Sequence, residues 1–166
     1  MVGAQPDSQA SSTASTLKAI LVGGLLVAVL DLTEVIAVYG LAVGMRPFRV
    51  PQAVASAVLG RASFGLGAKS VLLGLLLHTA VAFSVVAVYA VASRWLPALD
   101  RHPTLSGLAY GLGVYAFMHL LVLPLSAMPK EVQQFELLGF LNGIFGHPLF
   151  VGLPTAWAVH VLAPKP

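Results

Sequence analysis

Apolar residues run almost without interruption through four stretches of this chain, and polar residues collect between them. From Leu17 to about Met45 only Lys18, Asp31, Thr33 and Glu34 break the apolar run, and about 20 such residues suffice to cross a bilayer. A second run follows Lys69, carries one ionisable group, His78, and closes on Arg94 and Trp95, where an interfacial belt is expected. A third extends from Leu105 to about Met128 with His119 inside it, and a fourth covers Leu137 to Leu162 with His147, Pro148 and Pro154. The pattern predicts an all-α integral membrane four-helix bundle with spans of about 17–45, 69–93, 105–128 and 137–162, in one domain from 17 to 166.

The intervening segments read differently from one another. Residues 1–16 are Ser, Thr, Ala and Gln with little to bury, so a disordered polar tail is expected. The first Lys is Lys18 and the apolar run is long, which argues against a cleaved signal peptide. Residues 46–68 mix three Arg and two Pro with small apolar residues, as in an amphipathic surface-lying or re-entrant segment. Loop 96–104 and connector 129–136 are polar enough to lie in water. Four crossings place both termini on one side. Lys18, Arg94, Arg101 and Lys165 on that side face Arg46, Arg49, Arg61, Lys69 and Lys130 on the other, so the positive-inside rule does not orient the chain.

Composition supports the membrane reading. Hydrophobic residues make up 58% and charged residues 9% of the chain, too few charges to cover a water-soluble fold. The nine Lys and Arg are scattered around the spans, which points to the lipid bilayer as partner and excludes nucleic acid. Without cysteine there is no disulfide framework and no thiol nucleophile. Glycines recur at four-residue spacing as Gly40 and Gly44, Gly107 and Gly111, and Gly139 and Gly143. Such faces let helix backbones approach closely and are candidates for docking a second copy or another membrane protein.

The ionisable residues inside the spans carry the chemical interest, because each costs on the order of 3 kcal/mol in the bilayer and needs a partner. Asp31 and Glu34 share one face of the first helix, and His78, His119 and His147 add one imidazole from each of the others. At 1.5 Å per residue from the surface shared by loops 46–68 and 129–136, Glu34, His78 and His147 lie roughly 13–17 Å deep. On the same scale His119 lies about 8–14 Å deep and Asp31 about 20 Å, which makes one polar layer. His160 falls outside it as an interfacial residue.

Three readings of the layer stay open: hydrogen-bonded pairs that fix helix register, a site that binds or relays a proton or small cation, and a metal or haem site with Asp31, His78 and His147 as candidate ligands. No cofactor is specified. Pro148 predicts a kink or break at His147, and Pro154 loosens the same span again. The phrases GLGVYAF and SFGLGAK lack the strand and the Lys-Ser/Thr spacing of nucleotide loops, and no nucleophile-elbow serine is present. Tyr39, Tyr89, Tyr110 and Tyr115 read as packing residues, so no catalytic residue is assigned and enzyme activity is not expected.

Several phrases in order along the chain resemble an uncharacterised family of small four-span bacterial inner-membrane proteins, distantly YagU-like. They are Leu30-Asp31-Leu32-Thr33, Pro47 to Gly60, Leu77-His78, Ala92-Ser93-Arg94, Val122 to Ala127, and His147 with Val151-Gly152-Leu153-Pro154. The resemblance covers most of residues 20–155. It implies a bacterial inner membrane and, from the basic second loop and tail (Arg94 and Arg101 here), cytoplasmic termini. It implies no reaction. Asp31, His78 and His147 match the family pattern, whereas Glu34 and His119 depart from it, the latter standing where relatives more often show Asn.

Overall fold

The computed structural model describes residues 6–133 and 137–163, and all their regular structure is helical. Four helices are long and apolar enough to cross a membrane: Ser11–Val43, Ala68–Trp95, Pro103–Leu125 and Leu137–Leu162. They are referred to below as spans one to four. The chain is therefore a multi-pass, all-α membrane protein, and the four expected spans are all present.

The first helix differs from expectation at its start. It begins at Pro6 and takes in residues 6–16, which composition had assigned to the tail; residues 1–5 lie outside the described part. Local and long-range hydrogen bonds account for this. Ser15 and Thr16 donate their hydroxyls to the carbonyls of Ser11 and Ser12 (3.0 and 2.9 Å). Arg94, at the end of span two, donates to the Ser12 hydroxyl at 3.0 Å and to that of Thr16 at 2.8 Å. A guanidinium that satisfies several acceptors at once holds a polar helix that composition alone would leave frayed.

The first loop is folded and packs against span two. Helix Arg49–Leu59 buries Val50, Pro51, Gln52, Ala55 and Ser56, then tightens into the 3₁₀ turn Gly60–Gly65. Pro51 presses its backbone against Gly74 of span two, where there is no room for a side chain. Gln52 donates to Ser70 Oγ at 3.3 Å and to the Gly67 carbonyl at 3.4 Å. Gly67 enters span two with φ of +56°, a conformation that costs glycine little. Arg61 pairs with Glu131 at 2.7 Å, and the Ala127 N–H donates to the Ala57 carbonyl at 2.9 Å, so this cap also holds the end of span three.

Spans three and four each contain a stretch of wider π-helix, Met118–Val122 and His147–Gly152. Of the kink or break expected at His147, no break is present, and the helix runs on as π-helix from His147 itself. Each stretch leads directly into a Leu-Pro pair, Leu123-Pro124 or Leu153-Pro154. A proline ring clashes with the carbonyl four residues back, here Leu120 or Phe150, and the wider turn accommodates that clash without ending the helix.

The glycine pairs divide. Gly107 and Gly111 meet span four backbone to backbone: a side chain at Gly111 would lie 2.5 Å from the His147 carbonyl, and Gly107 abuts Gly152. That face is used inside the chain. Gly44, with φ of +64°, ends the first helix and packs against nothing, so Gly40 and Gly44 form no packing seam.

A buried apolar cluster fills one half of the bundle: Ala19, Val27 and Ala28 from span one, Ala82, Val86, Tyr89 and Ala90 from span two, and Val151, Ala156 and Val159 from span four. Relative to Asp31, His78 and His147, every one of these residues lies toward the side of the chain termini. Tyr89 donates to the Leu99 carbonyl (3.1 Å) and Tyr110 to the Val85 carbonyl (2.8 Å), with their rings 5.0 Å apart edge to face.

Candidate functional site

The five ionisable residues of the layer are all half-buried and fall into three linked groups. His78 Nε2 lies 3.1 Å from the Ala28 carbonyl and 3.9 Å from Asp31 Oδ2. A carbonyl only accepts, so Nε2 carries the hydrogen and donates it to Ala28. The Asp31 carboxyl lies beside the ring, outside hydrogen-bond range.

Glu34, one turn from Asp31, reaches span four. Asn142 donates to its Oε2 at 3.4 Å, and both carboxylate oxygens lie 3.2 Å from where a side chain at Gly146 would begin. The missing side chain makes room for the carboxylate one residue before His147.

His119 donates its Nδ1 hydrogen to the Tyr115 carbonyl at 3.2 Å, one turn back in its own helix. The Tyr115 ring sits between two imidazoles, with centroids 4.2 Å from His119 and 5.4 Å from His147. It is itself accommodated by Gly143, where any side chain would strike it. His147 lies within the electrostatic reach of Asp31, His119 and His78, and of the Gly143 carbonyl. The spans thus bring the five residues together, with His147 facing Asp31, His78 and His119 and with Glu34 at the adjacent Gly146.

Among the described residues, buried side-chain atoms without a hydrogen-bond partner are Asp31 Oδ1, Tyr115 OH, His147 Nδ1 and Thr155 Oγ1. Three of these belong to the layer and come from spans one, three and four. Native interiors rarely leave such atoms unsatisfied, and an acid oxygen, a phenol and an imidazole nitrogen are complementary to water or a mobile proton. Tyr115 was read from sequence as packing; its position one turn before His119 was the available signal. Asn142, four residues before the Gly that accommodates Glu34, was not singled out.

The metal reading loses its geometric support. No group of three His, Asp or Glu side chains among the described residues is arranged to hold a metal ion. The candidate ligands Asp31, His78 and His147 share a level without converging on one point. His160 lies outside the layer as expected, its Nδ1 2.8 Å from Asp100 Oδ1 and its ring edge to face with Trp157.

An open apolar groove of about 570 Å³ runs beside the layer between spans three and four, lined by Tyr115, Ala116, His119, Leu120, Leu137 and Phe140. Comparisons with protein-family models, curated proteins and solved structures give no match. The reading of this site rests on its own geometry.

Proposed function

We propose that this protein is a bacterial inner-membrane component, related to the YagU-like family and with both termini in the cytoplasm, whose Asp31–His78–His147 layer binds and relays a proton. The observation that carries the reading is the set of unsatisfied atoms Asp31 Oδ1, His147 Nδ1 and Tyr115 OH at one level of the bundle. An imidazole titrates near neutral pH when unperturbed and passes a proton between its two nitrogens, and a neighbouring carboxylate stabilises the charged ring. The proton passes between His147 Nδ1 and the Asp31 carboxylate, which holds it as a carboxylic acid. Glu34, held by Asn142, is the acid through which the proton reaches the layer.

Infrared titration of the purified protein in nanodiscs tests this. Asp31 should give a buried carboxylic acid carbonyl band that titrates with pH, disappears in Asp31→Asn and shifts in His78→Gln. A wild-type protein without any such band would overturn the reading.

A second reading, a polar layer that only locks helix register, draws on the direct bonds His78–Ala28 and Asn142–Glu34. It predicts that Asp31→Asn changes stability and removes no titrating band. The glycine-spaced faces leave less room for the docking of a second copy than the sequence suggested, since Gly107 and Gly111 are already occupied by span four.

A further inference from the structure

We infer that the polar layer exchanges protons and water with one aqueous face only, the face carrying segments 44–67 and 126–133, along the seam between spans one, three and four. This rests on the proton reading above and adds to it a direction of access.

The first observation is what span four's glycines accommodate. Gly139 lies against the Tyr39 hydroxyl (2.9 Å from the position a side chain would take), Gly143 against the Tyr115 ring, and Gly146 against the Glu34 carboxylate. In each case a polar or amphipathic side chain from another span occupies the space, so these glycines are not a backbone-to-backbone seam. Read from the loop face inward, they meet Tyr39 at Gly139, Tyr115 at Gly143, and Glu34 at Gly146, next to His147. The column ends at the unsatisfied atoms of Tyr115, His147 and Asp31.

The second observation is the opposite half. Beyond Asp31, His78 and His147 the interior is closed by Val27, Ala28, Ala82, Val86, Ala156 and Val159, all at most 5% exposed. Gly23 abuts Val86 and Ala158, and Gly24 abuts the Phe83 ring. Thr155 is the unsatisfied polar atom on that side, and it lies among these apolar neighbours. A dry, close-packed interior of this kind does not conduct water or protons. The titratable groups that face Asp31 are Glu34 on its own helix, His78 of span two and His147 of span four, and His119 of span three faces His147 in turn.

Because the chain has no cysteine, single cysteines can report access directly. Glu131→Cys and Arg101→Cys mark the loop face and the terminus face in sealed vesicles treated with a membrane-impermeant, cationic methanethiosulfonate. Asn142→Cys should react from the Glu131 side, faster by at least an order of magnitude than Thr155→Cys or Val86→Cys from either side. Glu34→Cys provides the same readout if the Asn142 variant does not fold. Reaction of Thr155→Cys or Val86→Cys from the Arg101 side at a comparable rate would overturn the inference, as would path cysteines closed to both faces.

The infrared band of Asp31, followed in vesicles with different internal and external pH, separates the two claims. If the path cysteines react and the band never titrates, one-sided access stands and the proton reading falls. If the band follows the pH of the terminus face, the proton reading stands and one-sided access falls.

Discussion

The two halves of the bundle are built from the same four helices on opposite principles. Toward the termini, Val27, Val86 and Val159 interlock, and Tyr89 and Tyr110 each find a backbone carbonyl. Toward the loops, glycines replace the interior side chains and give their space to Tyr39, Tyr115 and Glu34. Tyr115 lies only five positions beyond Tyr110 in sequence, yet its hydroxyl has no partner. One half spends its apolar side chains on close packing; the other keeps polar groups at membrane depth, which is tolerated only where a function or a complete network requires it.

The largest expected effect comes from closing a glycine contact in each half. Gly143→Leu drives a side chain into the Tyr115 ring, and Gly152→Ala drives one into the Gly107 backbone; overpacking of this kind costs about 1–3 kcal/mol and occasionally more. Both variants should lower the thermal midpoint in detergent. Only Gly143→Leu should also disturb the infrared signature of the layer. If Gly152→Ala disturbs that signature equally, the halves are not independent.

A core truncation comes next. Val86→Ala should cost about 1–2 kcal/mol through lost packing, whereas Val88→Ala, on the exposed face of the same helix, should cost little. Equal losses in a denaturation series would erase the contrast between packed interior and lipid-facing surface. The paired hydroxyl test is subtler. Thr155→Val replaces an unsatisfied hydroxyl in the dry half and should leave stability unchanged or raise it by up to about 1 kcal/mol. Tyr115→Phe should instead shift the titration of the layer, since its hydroxyl belongs to the polar column.

The smallest effect is at the surface. The carboxyl of Glu131 is held below the ordinary carboxylate range, first by its own backbone N–H and then by the Arg61 guanidinium. A depressed value in the folded state means that its stabilisation is present above the unfolded carboxylate pKa and is lost as pH falls through the folded one. Because the group is fully exposed, salt should screen the contribution from Arg61. Arg61→Ala should flatten the acid limb of a stability–pH curve, and no flattening at low salt would remove Arg61 as a cause.

Much of this architecture was legible in the sequence. The lengths of the apolar runs set the four spans, and rise per residue was enough to bring Asp31, Glu34, His78, His119 and His147 to one level. What sequence could not supply was the partner of each group. Four-residue glycine spacing indicates a thin helix face but not whether a backbone, as at Gly107 and Gly111, or a ring, as at Gly143, will fill it. Gly44 shows a third outcome, since its left-handed φ ends a helix. Residues 6–16 looked too polar to order because Arg94, which secures Ser12 and Thr16, stands 78 positions beyond the second of them. The irregularity of span four was placed correctly near His147, but its form followed from the Leu-Pro pair further along.

That π-helical stretch has a consequence for how span four meets its neighbours. Gly143 and Gly146 face inward on the loop side, and Val151, Thr155 and Val159 face inward at four-residue steps on the terminus side. Between these two sets Pro148, Val151 and Gly152 of the wider turn are all buried, so the inward stripe broadens there. The wider turn acts as a bridge: one continuous rod passes from glycines that receive side chains of other spans to a stripe that packs in the apolar cluster, with no gap in its buried face.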